Sequence, residues 1–457
     1  MGKNSALLLV LVLVVAVVAT FLPVNGEYRK IVVPVDYSTI QEAIDAANEG
    51  DTVFVKKGFY QEETLEISKS ISLVGEDAEE TEIYFVTALV DRQILGAIIQ
   101  VRSTAFSVNA DEVTISGFTL DSKEYTPIYD MEEFSANGDE IKMIDNIVRK
   151  NFILDFKGDR LDVIGNSILS GLRTHGSNQT ITKNVILGLA IYGNWNRIFE
   201  NTINDSLTLL GSSNIVSINS ISTIKLWDAD SNLIANNTFS FLHVGYDGKT
   251  CSNNTISKNS IIGPERFGIL MSAGSNNVFH DNLIYNYTDG YSVAIGGRGL
   301  VAENNVFYRN IFVNNGLHVS SRWEVLGTGN FWDNGEEGNF WDDYAGVDSN
   351  MDGIGNVPYV VEGFKREYKV GEDEFVSFVF GVDNYPLMFP SSIEDFSVEF
   401  PDDIQLSTPY PESPIPTSTG PYEESQQIEQ EIIIGVTITA AVIGASLGLL
   451  VYLVKRK

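Results

Sequence analysis

The chain is short of cysteine and of positive charge. Its single cysteine, Cys251, excludes an internal disulfide, so stability must come from packing and hydrogen bonding. Lys and Arg number 30 against 61 Asp and Glu, a formal net charge of −31, and a surface of that sign repels nucleic acid. Such a surface suits cations or salty surroundings, or serves solubility alone. Histidine (4) and methionine (6) are also scarce, and no two histidines stand at His-x-His spacing.

What the chain has in quantity is asparagine at a fixed period. Between residues 146 and 312 the phrase Asn-x-(Ile/Val/Phe)-x-x-Asn, followed two residues later by Ile or Phe, occurs nine times. The first copy is Asn146 to Asn151, and only the first position is ever broken, by Leu161 and Gln179. The second asparagine recurs every 17 or 18 residues from Asn166 to Asn237, through Asn184, Asn201 and Asn219. It then continues at spacings of 22, 23 and 28 as Asn259, Asn282 and Asn310. Self-similarity at this period predicts a solenoid. One turn is too short for a helix pair, and its apolar residues are β-branched or aromatic, so each turn reads as short strands separated by bends. Asn tolerates the left-handed backbone that sharp bends need, and stacked amides can hydrogen-bond along a column. A third strand fills each turn, for example Leu189 to Tyr192 and Ile224 to Trp227. The fold expected is all-β, a single-stranded right-handed parallel β-helix of the pectin-lyase-like kind. At about 4.8 Å per coil, nine coils make a rod of about 40 Å.

The ends divide the chain further. Lys3 with the apolar run to Phe21 and the small residues to Gly26 predict a signal peptide over 1–26. Residues 27–60 read as an N-terminal cap, with a helix over Ser38 to Ala47 closing the core and Ser38 or Thr39 as its N-cap. Coils are expected over 61–328 and a C-terminal cap over 329–390. Residues 391–431, rich in Pro, Ser, Thr and acid, read as a disordered stalk. The 23 uncharged residues from Ile432 to Val454 make about 34 Å of helix, enough to span a bilayer. The basic tail 455–457 then stays in the cytoplasm and the bulk of the chain lies outside, as in a single-pass cell-membrane protein. Setting aside Lys3, Lys455, Arg456 and Lys457 takes the −31 to about −35 for the exterior part. Five N-glycosylation sequons, at Asn178, Asn204, Asn236, Asn253 and Asn286, all fall off the asparagine columns.

Chemistry is expected in two places. By register the third strand turns outward His175, Tyr192, Leu210 and Trp227, and beside them Arg173, Ala190, Thr208, Lys225 and His243. Sugars stack on aromatic faces, and Asp228, Asp230 and Asp247 could bond their hydroxyls. The alternative is that a loop covers this face, with Ser122 to Met143 as the candidate insertion. The second place is Gly329 to Met388, where Gly-Asn-Phe-Trp-Asp occurs at Gly329 and again at Gly338. Asp348, Asn350 and Asp352 before Gly353 set oxygens on alternate residues ahead of a sharp turn, as a calcium loop begins. Tyr359 holds the twelfth position, so this is no EF-hand, and Asp343 or Asp383 would complete the set. The alternative is an Asx-rich turn capping the rod, with Trp332 and Trp341 sealing its end. Of the polygalacturonase signatures Asn-Thr-Asp, Asp-Asp, Gly-His-Gly and Arg-Ile-Lys, only Asp-Asp occurs, at Asp342-Asp343 and Asp402-Asp403; the Arg-x-Pro-x-x-Arg of pectate lyases is absent.

The run Gly338 to Tyr344, Gly346 to Gly355, Pro358-Tyr359 and Asp383 to Leu387 resembles the closing signature of NosD-family β-helix proteins. With the Asn repeats and the entrance Ile40-Gln-Glu-Ala-Ile44, the resemblance covers residues 36–390. It implies a β-helix related to carbohydrate-binding and sugar-hydrolase domains, and copper binding in maturing nitrous oxide reductase. Copper is not carried over to any residue here, because its soft ligands Cys, Met and His are few and scattered. The expectation is a cell-surface protein, non-enzymatic, binding polysaccharide or envelope proteins. A polysaccharide lyase or glycoside hydrolase is the first alternative and a copper-delivery factor the second.

Overall fold

A computed structural model describes residues 28–86, 89–94, 97–102, 104–122, 132–150, 152–245, 249–296, 301–321, 329–369 and 372–390. The expected signal peptide, stalk, membrane span and basic tail lie outside these residues, as does Asp247. No helix among the described residues is long and apolar enough to cross a membrane.

Two long parallel sheets run the length of the rod. The first has 13 short strands paired in sequence order, from Lys30–Val33 to Val306–Tyr308. The three-residue strands turn their central residue inward, so Ile181, Ile198, Val216, Ile234 and Ile256 stack in register and are fully buried. The second sheet is built of longer strands. It stacks Ile168, Ile186, Ile203 and Ile221 in one inward column and Leu172, Leu189, Leu207 and Ile224 in another. Burying each such side chain stabilises the fold by roughly 2 kcal/mol. Between Leu65–Ile67 in the second sheet and Ser72–Gly75 in the first the chain turns at a bend.

Two asparagine ladders fix the bends. In one, Asn184, Asn201, Asn219, Asn237, Asn259 and Asn282 each pass their backbone N–H to the next Oδ1 at 2.9–3.2 Å, reaching Asn310 and going on to Asn339. The other runs from Gln179 through Asn196 and Asn214 to Asn330. Asn146 belongs to the first of these, since its N–H meets Asn166 Oδ1 at 2.9 Å. The first copy of the sequence phrase was therefore one column out of phase, and Asn151 lies outside the described residues. The left-handed backbone also sits elsewhere than expected. In the coils before the closing end it is the residue ahead of each ladder asparagine that carries it, as in Lys183 (φ 59°), Glu200 (56°), Ile218 (57°) and Arg309 (54°). The ladder position must present its amide to the coils on either side, which leaves the preceding residue to turn the corner.

The helix at the entrance is Ile40–Ala46, with Thr39 as N-cap in a capping box with Glu42 and with Ile40, Ala43 and Ile44 buried. The expected insertion Ser122 to Met143 is not a covering loop where it is described: Glu132–Asn137 pairs with Phe152–Lys157 and Lys142–Ile144 joins the first sheet, making another coil. At the far end an antiparallel hairpin, Tyr359–Lys369 with Glu372–Asp383, meets the last coil through Ser321 N–H to Phe364 O at 2.8 Å.

Candidate functional site

The outer face of the second sheet carries the residues expected to bind sugar. Arg173, Ala190, Thr208, Lys225 and His243 stand in one register column, and His175, Tyr192 and Leu210 in the next. Tyr192 stacks on the His175 ring, centroids 4.5 Å apart and planes 10° apart. His175 Nε2 lies 2.9 Å from Asp155 Oδ1, and Lys157 Nζ lies 3.1 Å from Asp155 Oδ2. His243 Nε2 meets Ser272 Oγ at 2.9 Å. Burial, with the Lys225 charge beside it, pushes the His243 pKa down to about 4, so it is neutral at pH 7. Trp227 is half-buried and follows this column. Asp228 sits in a left-handed bend and pairs with Lys249 at 3.0 Å. Asp230 accepts the Ser252 N–H at 2.6 Å, so it shapes the bend. On the same sheet a groove of about 420 Å³ is lined by Thr202, Asn204, Ser220, Ser222, Thr238 and Ser240.

The five residues expected as one calcium set are split between three places. Asp348 turns its oxygens to the N–H groups of Asp352 (3.3 Å) and Gly353 (2.9 Å). Asp352 takes the Ile354 N–H at 2.9 Å, and Asn350 Nδ2 donates to its other oxygen at 2.7 Å. This is an Asx-turn network. Asp383 is fully buried and belongs to the ladder, accepting from Asn339 N–H at 2.7 Å, Trp341 Nε1–H at 2.9 Å and Tyr385 N–H at 3.0 Å. Burial pushes its pKa up to about 6 against the pull of those donors. Asp343 belongs to a third group, which the sequence did not mark. His318 Nε2 lies 3.2 Å from Asp342 Oδ1 and 3.2 Å from Asp343 Oδ1, and Tyr359 Oη donates to Asp343 at 2.9 Å. Burial alone lowers an imidazole pKa, but the two carboxylates outweigh it and hold His318 at about 9. These three are the group of His, Cys, Asp and Glu among the described residues placed closely enough to hold a metal ion. Twenty-four residues separate His318 from Asp342, and no local motif links them. Trp332 and Trp341 are buried; Trp341 stacks between Phe312 and Tyr359 at 4.4 and 4.6 Å.

A soft copper set is not assembled among the described residues. Cys251 is buried, its Sγ donating to Leu226 O at 3.1 Å, and burial raises its pKa. The four histidines have separate partners: Asp155, Ser272, Asp281, and the Asp342–Asp343 pair. Met143 and Met271 are core residues. A further aromatic escaped the sequence reading. Trp195 is 60% exposed at a left-handed bend, and its signal was there: it is the one aromatic residue in a left-handed column otherwise of Asn, Ser, Glu and Arg.

Among solved structures the chain is similar to a PL6 alginate lyase in complex with trisaccharide, at TM-score 0.50 and 12% identity, over 68% of this chain and 85% of that one. The catalytic domain of a GH87 α-1,3-glucanase gives 0.49 and 13% over 69% and 70%, and the A-module of the Azotobacter vinelandii mannuronan C-5 epimerase AlgE6 gives 0.44 and 12% over 64% and 92%. At such identity what is shared is the parallel β-helix. No curated protein sequence matches the chain. Within this parallel β-helix, residues 210–346 match the family model described as periplasmic copper-binding protein (NosD).

Proposed function

We propose that this β-helix is anchored in the cell membrane and binds polysaccharide along the outer face of its second sheet, without cleaving it. The observation that carries the reading is the hydroxyl- and amide-lined groove from Thr202 to Ser240, on the sheet that also bears Arg173, Lys225 and the His175–Tyr192 stack. Hydroxyls and amides both donate and accept, which matches the hydroxyls of a sugar chain. Hydrolysis needs two carboxyl groups facing one bond. On this face Asp155 is tied to His175 and Lys157, and Asp228 to Lys249, which supports binding over acid–base chemistry. Anchoring rests on the apolar run from Ile432 to Val454 and its basic tail. A copper-delivery role finds no assembled soft donor set among the described residues, so no step is drawn through that metal.

The test uses the full-length protein in detergent with acidic and neutral polysaccharides, each with calcium and with chelator. Co-sedimentation without new reducing ends or unsaturated product is expected. Binding of the neutral polysaccharides should be lost in Ser222→Trp, which fills the groove, at unchanged Tm. Product in any arm would make the protein a lyase or hydrolase, and absence of binding across the panel would remove the reading.

A further inference from the structure

We propose a second saccharide site, in the groove at Trp195 on the first-sheet side, that takes an acidic sugar unit. Before each asparagine of the second ladder lies a left-handed bend residue. In the described coils around it these are Asn178, Ser213, Ser231, Asn253, Asn276 and Asn304, all with φ between 56° and 60°. Trp195 occupies the same slot at φ 55°. Asn enters the left-handed region readily, whereas a bulky side chain there is strained. Burial normally offsets such strain, yet Trp195 is 60% exposed. Ile218 pairs the same strain with 59% exposure in the other ladder, so Trp195 is set apart by its groove and not by strain.

The surroundings say what the indole is for. Trp195 lines a groove of about 420 Å³ with Asn178, Thr180, Ser213, Arg197 and Ile215. Arg197 follows Thr180 and precedes Ile215 in one outward register column, and Ile215 is 40% exposed. Although acids outnumber bases two to one, Arg197 makes no ion pair among the described residues. An exposed aromatic plate offers a sugar ring a stacking surface, and amide and hydroxyl groups meet its hydroxyls. A free guanidinium is built to take a carboxylate or sulfate in a two-pronged bond. The site is separate from the Tyr192 face and does not depend on it.

The sequon Asn178-Gln179-Thr180 opens on the same groove, so a glycan on Asn178 would compete for it. The experiment therefore uses full-length protein made without N-glycosylation. Its probes are a galacturonate hexamer and a neutral β-1,4-glucose hexamer, followed by calorimetry and tryptophan fluorescence. Binding of the uronate with a change in emission is expected. It should be roughly tenfold weaker in Trp195→Asn and in Arg197→Thr and unchanged in Tyr192→Ala. Trp195→Asn installs the residue of neighbouring coils, so its Tm should hold or rise, which separates lost binding from lost folding. Wild-type affinity in Trp195→Asn, or no binding of either hexamer, would overturn the site. Equal binding of the neutral hexamer would overturn the acidic assignment, and a matching loss in Tyr192→Ala would overturn the separation of the two faces.

Discussion

The middle of the rod and its closing end meet the same demand in opposite ways. Both must satisfy buried backbone N–H groups where the chain turns a corner. In the middle each coil does so alike: Asn219 Oδ1 accepts the N–H and the side-chain amide of Asn201 at 2.9 and 3.0 Å, and Asn237 does the same for Asn219. At the end the ladder passes from Asn310 to Asn339 and then to Asp383. A carboxylate accepts but, once ionised, has no side-chain N–H to hand on, so the side-chain half of the column stops there. An amide propagates a ladder and an acid terminates it. Repetition carries the middle, whereas single residues carry the end.

The sharpest way to break this contrast is Asn219→Ala. It strips two acceptor bonds from Asn201, leaves Ile198 O and Ser217 O without this donor, and takes from Asn237 Oδ1 one of its two donors. A loss of about 5 kcal/mol is expected from urea unfolding. A loss under about 1 kcal/mol would mean that the stacked apolar columns hold the coils alone.

Asp383→Ala should cost somewhat less, about 4 kcal/mol, because it orphans three donors at a single point. Asp383→Asn keeps one acceptor oxygen and should cost roughly half as much, with local loosening read by hydrogen exchange at Asn339 and Trp341. If the end instead propagates its damage, exchange in the middle coils would accelerate as well.

The end, and not the ladders of the middle, should make stability depend on pH. His318 is held at about 9, above an unfolded value near 6.5, so its contribution is full below about 6.5 and is lost as pH rises through about 9. The size is on the order of 3 kcal/mol. Asp383, held at about 6 against an unfolded value near 3.9, keeps its proton longer when folded, so it too makes stability fall as pH rises, between about 4 and 6. Thermal unfolding across pH 4–10 should show both limbs. His318→Gln should flatten the upper limb and leave the lower one.

How far each region was legible follows from the same contrast. Period and apolar alternation gave the coils, the inward columns and the outward row from Arg173 to His243, because those features are written into every turn. The entrance helix was equally plain, and of its two candidate caps, Ser38 and Thr39, it is Thr39 that is used. Phase was less plain: Asn146 was assigned to the wrong column because its coil carries Ile141, as the next carries Leu161, where the later coils carry Asn or Gln. The end was misread where contacts are unique. Asp383 looks like a metal ligand in a row of acids, and only its burial beside Trp341 makes it a ladder cap. His318 has no sequence neighbour that announces Asp342 and Asp343.

The smallest effect tests the bend slot itself, where the two regions differ by sign. Ile218 precedes Asn219 at φ 57° and is 59% exposed, a β-branched residue in a conformation it disfavours and with little burial to offset it. Ile218→Asn, the residue that fills this slot one coil later as Asn236, should raise stability by about 1 kcal/mol. The same slot at the end is Gly338, before Asn339. Its backbone is not left-handed, and a Cβ there would overlap the Asp383 carboxylate. Gly338→Asn should therefore destabilise by displacing the acid that closes the ladder. Opposite signs for one substitution at equivalent positions would show that the slot is governed by backbone conformation in the middle and by space at the end. Matching signs in urea unfolding would mean that a single rule serves both.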